Sequence, residues 1–287
     1  MNKQLITIFS IFSITCLGMV SAQESKSFLP EVKKESLTFS SEDKKFKLTF
    51  NGRIQADGAM FFGEDYQPIG NGVGFRRVRL GATAAFGQRL SGKIEMDLTD
   101  GGFSLKDCFI KYAFPNGLYF RAGNFKESFG MAAMTSSGDL WFMEKANVVS
   151  AFAPEYHIGV QGTWEHDQFL GVAGVHFKEK DYSESNNKAG EDEGISVTAR
   201  AVWQPVSADK VKGFHLGIAA SYRTPKTTVG SLMPNTVRYS TRSLSYINKI
   251  KFLDTSPIAS VSHDWLAGAE LAGFYRGFRF QGEYIMN

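Results

Sequence analysis

Residues 45–56 read Lys-Phe-Lys-Leu-Thr-Phe-Asn-Gly-Arg-Ile-Gln-Ala, and apolar or small residues occupy every even position from Phe46 to Ala56. The odd positions carry lysine, threonine, asparagine, arginine and glutamine. Successive side chains of a strand point to opposite faces, so period two over 12 residues predicts a β-strand with one apolar and one polar face.

The same period recurs along the chain and predicts about 11 strands. They are 45–56, 77–86, 93–98, 107–114, 118–123, 158–164, 169–177, 195–203, 214–222, 265–274 and 278–284. Short and long connections alternate between them, and aromatic residues flank the short ones. These residues are Phe86, Phe114, Trp164, Trp203, Phe214 and Phe278. Short turns, long loops and an aromatic girdle are typical of outer-membrane barrels, so we predict an all-β, transmembrane antiparallel β-barrel.

Composition and the first residues fit an exported membrane protein. The chain has 287 residues, 43% of them hydrophobic, and two cysteines, which excludes disorder and a disulfide scaffold. Residues 1–22 carry Lys3, an apolar run from Leu5 to Val20 and the small-residue triplet Val20-Ser21-Ala22, which predict a cleaved signal peptide. No later stretch has 18 consecutive apolar residues, so strands must supply any membrane crossing.

The polar faces of the predicted strands are mainly basic. Charges cannot face lipid cheaply, so we assign them to the lumen, where eleven cations stand against six acids. The cations are Lys45, Lys47, Arg53, Arg77, Arg79, Lys93, Lys111, Arg121, Arg200, Arg223 and Arg279. The acids are Asp57, Glu95, Asp97, Asp107, Glu270 and Glu283, and further acids gather in the loop 178–193. Basic pore linings favour anions, so the sequence predicts a passive anion channel.

Two stretches resemble the phosphate-selective porin O/P family. One is Gly74-Phe75-Arg76-Arg77-Val78-Arg79-Leu80-Gly81. The other is Arg121-Ala122-Gly123-Asn124-Phe125-Lys126-Glu127-Ser128-Phe129-Gly130, followed by Thr135-Ser136-Ser137 and Phe142-Met143-Glu144-Lys145. The resemblance covers roughly residues 44–287, and 118–160 is its most specific part.

This resemblance implies a homotrimer of 16-stranded barrels in the outer-membrane lipid, with the loop 126–155 folded inward to narrow each pore. It implies that Ser136 and Ser137 donate to phosphate, that Arg53, Arg76 and Arg77 are basic positions near the constriction, and that Lys126 draws anions inward. Against 16 strands, 287 residues look like the first two-thirds of a barrel. Residues 23–43 are expected to form a periplasmic segment, and 44–287 a partial barrel.

Two positions depart from the family pattern. Lys145 stands where phosphate porins of the family carry a constriction arginine, and Ala133 stands where a loop lysine would help. Lysine keeps the charge but loses the planar fork that binds phosphate through two hydrogen bonds. Phosphate is the leading candidate that the resemblance implies, and these two departures make a general diffusion porin without phosphate selectivity the alternative.

Two other classes of barrel stay open. An enzymatic barrel would need a Ser–His–Asp arrangement around one of the histidines, which are His157, His166, His176, His215 and His263. A structural or adhesive barrel would have a plugged lumen of mixed charge. We expect a channel rather than an enzyme, with no cofactor, no metal and no nucleic-acid partner.

Overall fold

The computed structural model describes residues 29–33, 36–62, 70–177, 193–205, 211–227, 229–242, 247 and 250–287. The predicted signal peptide lies outside these residues, as does the acidic loop except for Glu193. Thirteen strands form one antiparallel sheet in which neighbours in sequence are neighbours in space, except that β11 pairs with β14. A separate ribbon, β12–β13, fills the interval.

The strands follow one another with few other elements between them. Their bounds are β1 Leu29–Lys33, β2 Ser36–Ser40, β3 Phe46–Ala59, β4 Gly72–Phe86, β5 Leu90–Asp97, β6 Ser104–Ala113, β7 Leu118–Lys126, β8 Tyr156–His166, β9 Phe169–Phe177, β10 Ile195–Trp203, β11 Lys212–Arg223, β12 Ser240–Arg242, β13 Lys251–Asp254, β14 Asp264–Tyr275 and β15 Phe278–Met286. Two short helices, α1 Met131–Met134 and α2 Asn147–Phe152, and a 3₁₀ turn, Thr99–Gly101, complete the described elements.

All eleven predicted strands are present, as β3 to β11, β14 and β15. The count of about 11 is too low for the sheet, because β1 and β2 form a hairpin that pairs with β3. This hairpin lies within residues 23–43, for which no strand was expected. Its strands have only five residues each, too few for a clear period-two pattern. The ribbon β12–β13 was missed for the same reason.

Burial is reversed relative to a water-soluble protein. Among the described residues, the buried side chains include Arg76, Glu127, Gln161, Thr198 and Glu270, whereas large apolar side chains lie exposed on the other face of the strands. Soluble proteins avoid apolar patches of this extent, and a lipid-facing barrel wall requires them. None of the helices described is long and apolar enough to cross a membrane.

The short connections are tight turns. In the turn between β14 and β15, Arg276 and Gly277 both have positive φ, 47° and 93°. Two successive residues with positive φ give a type I′ turn, whose twist matches that of the strands it joins. Successive connections of an antiparallel sheet lie at alternate ends, so from β3 onward the short turns lie at one end and the longer connections at the other, as predicted.

The sheet curves around one long connection, residues 127–155, here called the inner loop. Ser137 accepts a hydrogen bond from Arg53 on β3 at 2.7 Å, and the Met131 N–H donates to Glu270 on β14 at 2.5 Å. Nine steps separate these strands in the sheet order, or roughly 43 Å in a flat sheet. Six residues span at most roughly 20 Å. The polar face of the sheet, the inner face, is therefore concave and holds the inner loop.

Candidate functional site

A basic cavity of about 470 Å³ lies between the inner loop, the inner face of β4 and the ribbon β12–β13. Of the residues that the structure describes, eight basic and three acidic ones line it. The basic residues are Arg76, Arg77, Arg79, Lys106, Lys126, Lys145, Arg242 and Lys251, and the acids are Asp97, Glu144 and Glu155. Ser137, Ser150, Tyr156, Ser240 and Thr241 complete the lining. An excess of cations in an enclosed polar space is the arrangement that attracts anions.

A β-bulge puts two successive arginines into this cavity. Gln55 pairs with Arg77 and Ala56 with Phe75, so Arg76 is an extra residue without a partner in the ladder. Successive residues normally face opposite sides of a sheet, and a bulge cancels this alternation locally. Arg76 and Arg77 are consequently both buried, whereas Phe75 is exposed.

Glu144 of the inner loop ties both arginines to the loop. Its Oε2 accepts from Arg76 at 2.8 Å and from Arg77 at 2.5 Å. Arg76 also pairs with Asp57, and Arg77 donates to Gln55 at 3.0 Å. Burial alone would raise the pKa of Glu144, but the hydrogen bond from Arg76 and the charge of Arg77 outweigh it, so the pKa lies below its ordinary value.

The next two basic residues along the wall are also paired with acids. Arg79 donates to Asp97 at 2.8 Å and lies 3.4 Å from Glu95. Lys93 bridges Glu95 and Asp107 at 3.0 and 2.6 Å. These charges therefore largely neutralise one another, and Lys93 does not line the cavity.

Two lysines of the cavity converge on one neutral oxygen. Lys126 Nζ and Lys145 Nζ donate to the Ala133 carbonyl oxygen at 3.1 and 3.0 Å. Lys126 also lies 5.6 Å from the centre of the Tyr156 ring. Among the described residues, neither ammonium group forms an ion pair with a carboxylate. Their charges are therefore not neutralised by a carboxylate of the described residues.

The predicted serines lie at the tip of the same loop. Arg53 Nη1 donates to Ser137 Oγ at 2.7 Å, and Arg53 Nη2 lies 3.5 Å from Ser136 Oγ. Ser137 lines the cavity, whereas Ser136 is exposed beside it. Arg53 is therefore placed to orient the hydroxyl of Ser137 from outside the cavity.

Two further candidates lie apart from the cavity. Lys111 lies 4.8 Å from the centre of the Tyr119 ring, near the short turn after β6. Arg121 lies 4.0 Å above the Phe125 ring, and its Nη2 lies 3.1 Å from Ser128 Oγ and 3.1 Å from Gln161 Oε1. Such contacts stabilise packing and do not place the guanidinium in an open lumen.

Three basic residues of the cavity escaped the sequence reasoning. Lys106 comes just before the predicted strand 107–114, and the alternation of that strand would put it on the outer face. Ile94 pairs with Cys108 and Met96 with Leu105, however, and this second bulge turns Lys106 inward. Arg242 and Lys251 come from the ribbon β12–β13, whose strands are too short to show a period.

Two sets of contacts anchor the first part of the inner loop. At its start, Glu127 is fully buried, pairs with His157, and accepts from Ser196 and Thr198 at 2.9 and 2.8 Å, with Arg223 3.4 Å away. Burial alone would raise the pKa of Glu127, but the hydrogen bond to His157 and the charge of Arg223 lower it to about 2.

At the first helix, the Met131 and Ala132 N–H groups donate to Glu270 and Glu283 at 2.5 and 2.6 Å. Carboxylates are stabilising at a helix N-terminus. The first part of the inner loop is therefore held by side chains of β8, β10, β14 and β15.

The histidine clusters do not form a catalytic triad at this site. Ser196 and His157 both contact Glu127, so the carboxylate lies between the hydroxyl and the imidazole, whereas a triad needs the imidazole in the middle. Within the described ranges, no group of three or more His, Cys, Asp or Glu is arranged to hold a metal ion.

Comparison with known proteins identifies the family of the chain. Residues 46–287 match the model of the family described as phosphate-selective porin O and P. The chain belongs to this porin family. The resemblance drawn from the strand and loop residues is thereby confirmed. A relative from Caulobacter vibrioides, described only as an uncharacterized protein, is 28% identical to this porin-family chain over 217 residues. The match covers 73% of the chain and 42% of that relative, so the chain spans less than half of its length.

Proposed function

We propose that the chain forms part of the wall and the constriction of an outer-membrane porin that conducts small anions passively, with inorganic phosphate as the preferred anion. The observation that carries the proposal is the pair Lys126 and Lys145, whose ammonium groups meet at the Ala133 carbonyl without a carboxylate partner among the described residues. The Ser137 hydroxyl, which also lines the cavity, supplies a neutral donor.

The cavity suits phosphate for a physical reason. Phosphate carries up to two charges near neutral pH and accepts several hydrogen bonds, so it gains from two ammonium groups and a hydroxyl together. The arginines Arg76 and Arg77 are engaged by Glu144, and in this proposal they set the local potential rather than bind the anion directly.

A second candidate function, a general diffusion porin, has its own support. Arg79 and Lys93 are neutralised by Asp97, Glu95 and Asp107, which leaves much of the wall without a net charge. Such a wall would pass small solutes of either sign. The two functions therefore differ in whether the Lys126–Lys145 pair dominates the field of the pore.

Planar-bilayer recording of the full-length protein tests both. We expect a reversal potential that favours anions in a KCl gradient, and millimolar phosphate should reduce the chloride current. A reversal potential favouring cations would overturn the anion pore. If phosphate does not change the chloride current, the general diffusion porin is the function that remains.

Matched variants test the lysine pair. Replacing both Lys126 and Lys145 by Gln should abolish the phosphate effect, whereas Lys111→Gln, which removes one charge outside the cavity, should preserve it. A homotrimer is part of the same proposal, and native mass measurement in detergent would show a single subunit if it is wrong.

A further inference from the structure

A second cavity, of about 750 Å³, opens at the short-turn end of β11, β14 and β15. Its volume is within the range of small-molecule sites. The inner loop contributes one residue, Trp141, and the strands contribute His215, Phe274, Arg279 and Gln281. The basic cavity shares none of these residues.

Trp141 differs from the other tryptophans of the chain. Trp164, Trp203 and Trp265 lie on the outer face of strands, where amphipathic rings are expected at a membrane interface. Trp141 instead lies on the inner loop and is 57% exposed toward this cavity. A large aromatic face left open inside a polar lumen is a stacking surface for a ring of a solute.

Arg279 supplies the matching charge. It lies directly opposite Phe274 in the β14–β15 ladder, and it has no hydrogen-bond or ion-pair partner in the part of the chain that the structure describes. Its neighbour His215 is engaged at both ring nitrogens, by Gln204 at 2.8 Å and Glu270 at 2.8 Å. The guanidinium is therefore the strongest free donor of this cavity, and its planar fork matches a carboxylate.

We propose that this cavity binds organic anions that combine an aromatic ring with a carboxylate. The ring stacks on Trp141 and the carboxylate binds Arg279, with the Gln281 amide as a second donor. Among the described residues, by contrast, Tyr156 is the one aromatic side chain that lines the basic cavity, and this cavity recognises charge. The two sites therefore select different anions, and binding at the second one does not depend on the proposed phosphate preference.

Isothermal titration calorimetry of the full-length protein in detergent tests the proposal with benzoate, and with acetate as the ligand that lacks a ring. We expect benzoate to bind about tenfold more tightly than acetate, since stacking on a tryptophan adds roughly that factor. Trp141→Ala and Arg279→Gln should each weaken benzoate binding about tenfold, and Trp141→Phe should retain most of it.

The controls separate this site from the basic cavity. Phe142→Ala removes an exposed aromatic ring of the same loop that does not line the cavity, and benzoate binding should not change. The double replacement of Lys126 and Lys145 by Gln should weaken the binding of phosphate and leave the binding of benzoate unchanged. Benzoate that binds no better than acetate, or equally well to Trp141→Ala, Arg279→Gln and the wild type, would overturn the proposal.

Discussion

Lys126 and Lys145 come from β7 and from the inner loop, and both donate to the carbonyl oxygen of Ala133, at 3.1 and 3.0 Å. Two ammonium groups held this close repel each other, and a neutral carbonyl offsets only part of that cost. An anion bound between them would offset the rest. The residue at position 133 thus contributes through its backbone, although a lysine side chain was expected to be of use there.

The geometry of Lys145 predicts the effect of restoring an arginine. Lys145→Arg should strengthen the reduction of chloride current by phosphate about two- to tenfold, because the planar guanidinium can bind two phosphate oxygens at once. Lys145→Gln should weaken it, since the charge is lost. Bilayer titration with phosphate gives both values. Equal behaviour of the two variants would place residue 145 away from the anion.

Glu144 predicts a change in selectivity. Glu144→Gln removes a negative charge beside Arg76 and Arg77, so the reversal potential in a KCl gradient should move further toward the anion. Asp139→Asn is the control, because Asp139 is an exposed acid of the same loop whose side chain has no partner among the described residues. A shift of equal size in the two variants would show that the effect is not local.

The direction of the pKa shift extends this prediction to pH. The pKa of Glu144 is held below its ordinary value, so the group stays ionised in the folded protein as pH falls from 8 to about 5. The difference between wild type and Glu144→Gln should therefore be constant over that range. It should disappear only below the ordinary carboxyl pKa of about 4.3.

The sequence predicted the strands well and the site in part, for identifiable reasons. Period two is a direct consequence of strand geometry, so long strands such as β3 were found with nearly correct ends. Alternation fails at bulges, and Arg76 and Lys106 both occupy bulges. The inward placement of Arg76 could come only from the family resemblance, and that of Lys106 from neither source. The pairing of Arg79 with Asp97 could not be predicted, because the prediction requires the register of β4 against β5.

Glu127 predicts acid-sensitive stability. Its folded-state pKa, about 2, lies below the ordinary value of 4.5. The contacts of ionised Glu127 therefore stabilise the fold fully above the unfolded-state pKa, and this stabilisation is lost as pH falls toward 2. Glu127→Gln should lower the free energy of unfolding by about 1–3 kcal/mol at pH 7, because it leaves buried donors such as Ser196 without a charged acceptor.

Thermal unfolding followed by circular dichroism from pH 7 to pH 2 measures this difference. The gap between wild type and Glu127→Gln should be constant above about pH 4.5 and should shrink below it. If the difference in stability between the wild type and Glu127→Gln grew as the pH fell, a group other than Glu127 would control the acid sensitivity. Glu165→Gln, at an exposed acid beside a short turn, should show no gap.

Replacing Arg121 tests a packing role separately from a role in conduction. Its guanidinium stacks on Phe125, with the ring centre 4.0 Å away, and donates to Ser128 and Gln161. Gly123 lies between Arg121 and Phe125 in the sequence, and a Cβ added there would lie 2.2 Å from the Cys108 carbonyl oxygen, so no side chain fits at this position with its φ of 133°. Arg121→Lys keeps the charge but loses the stacked plane, so the free energy of unfolding should fall by about 1–2 kcal/mol. Arg89→Lys, at an exposed turn position, is the control and should cost little.

Conduction should respond differently if Arg121 acts through packing. The reversal potential of Arg121→Lys in a KCl gradient should equal that of the wild type, because the charge of the lumen is unchanged and the guanidinium does not line the basic cavity. A shifted reversal potential with an unchanged unfolding temperature would instead make Arg121 a pore-lining residue, as its position on the polar face of β7 predicted.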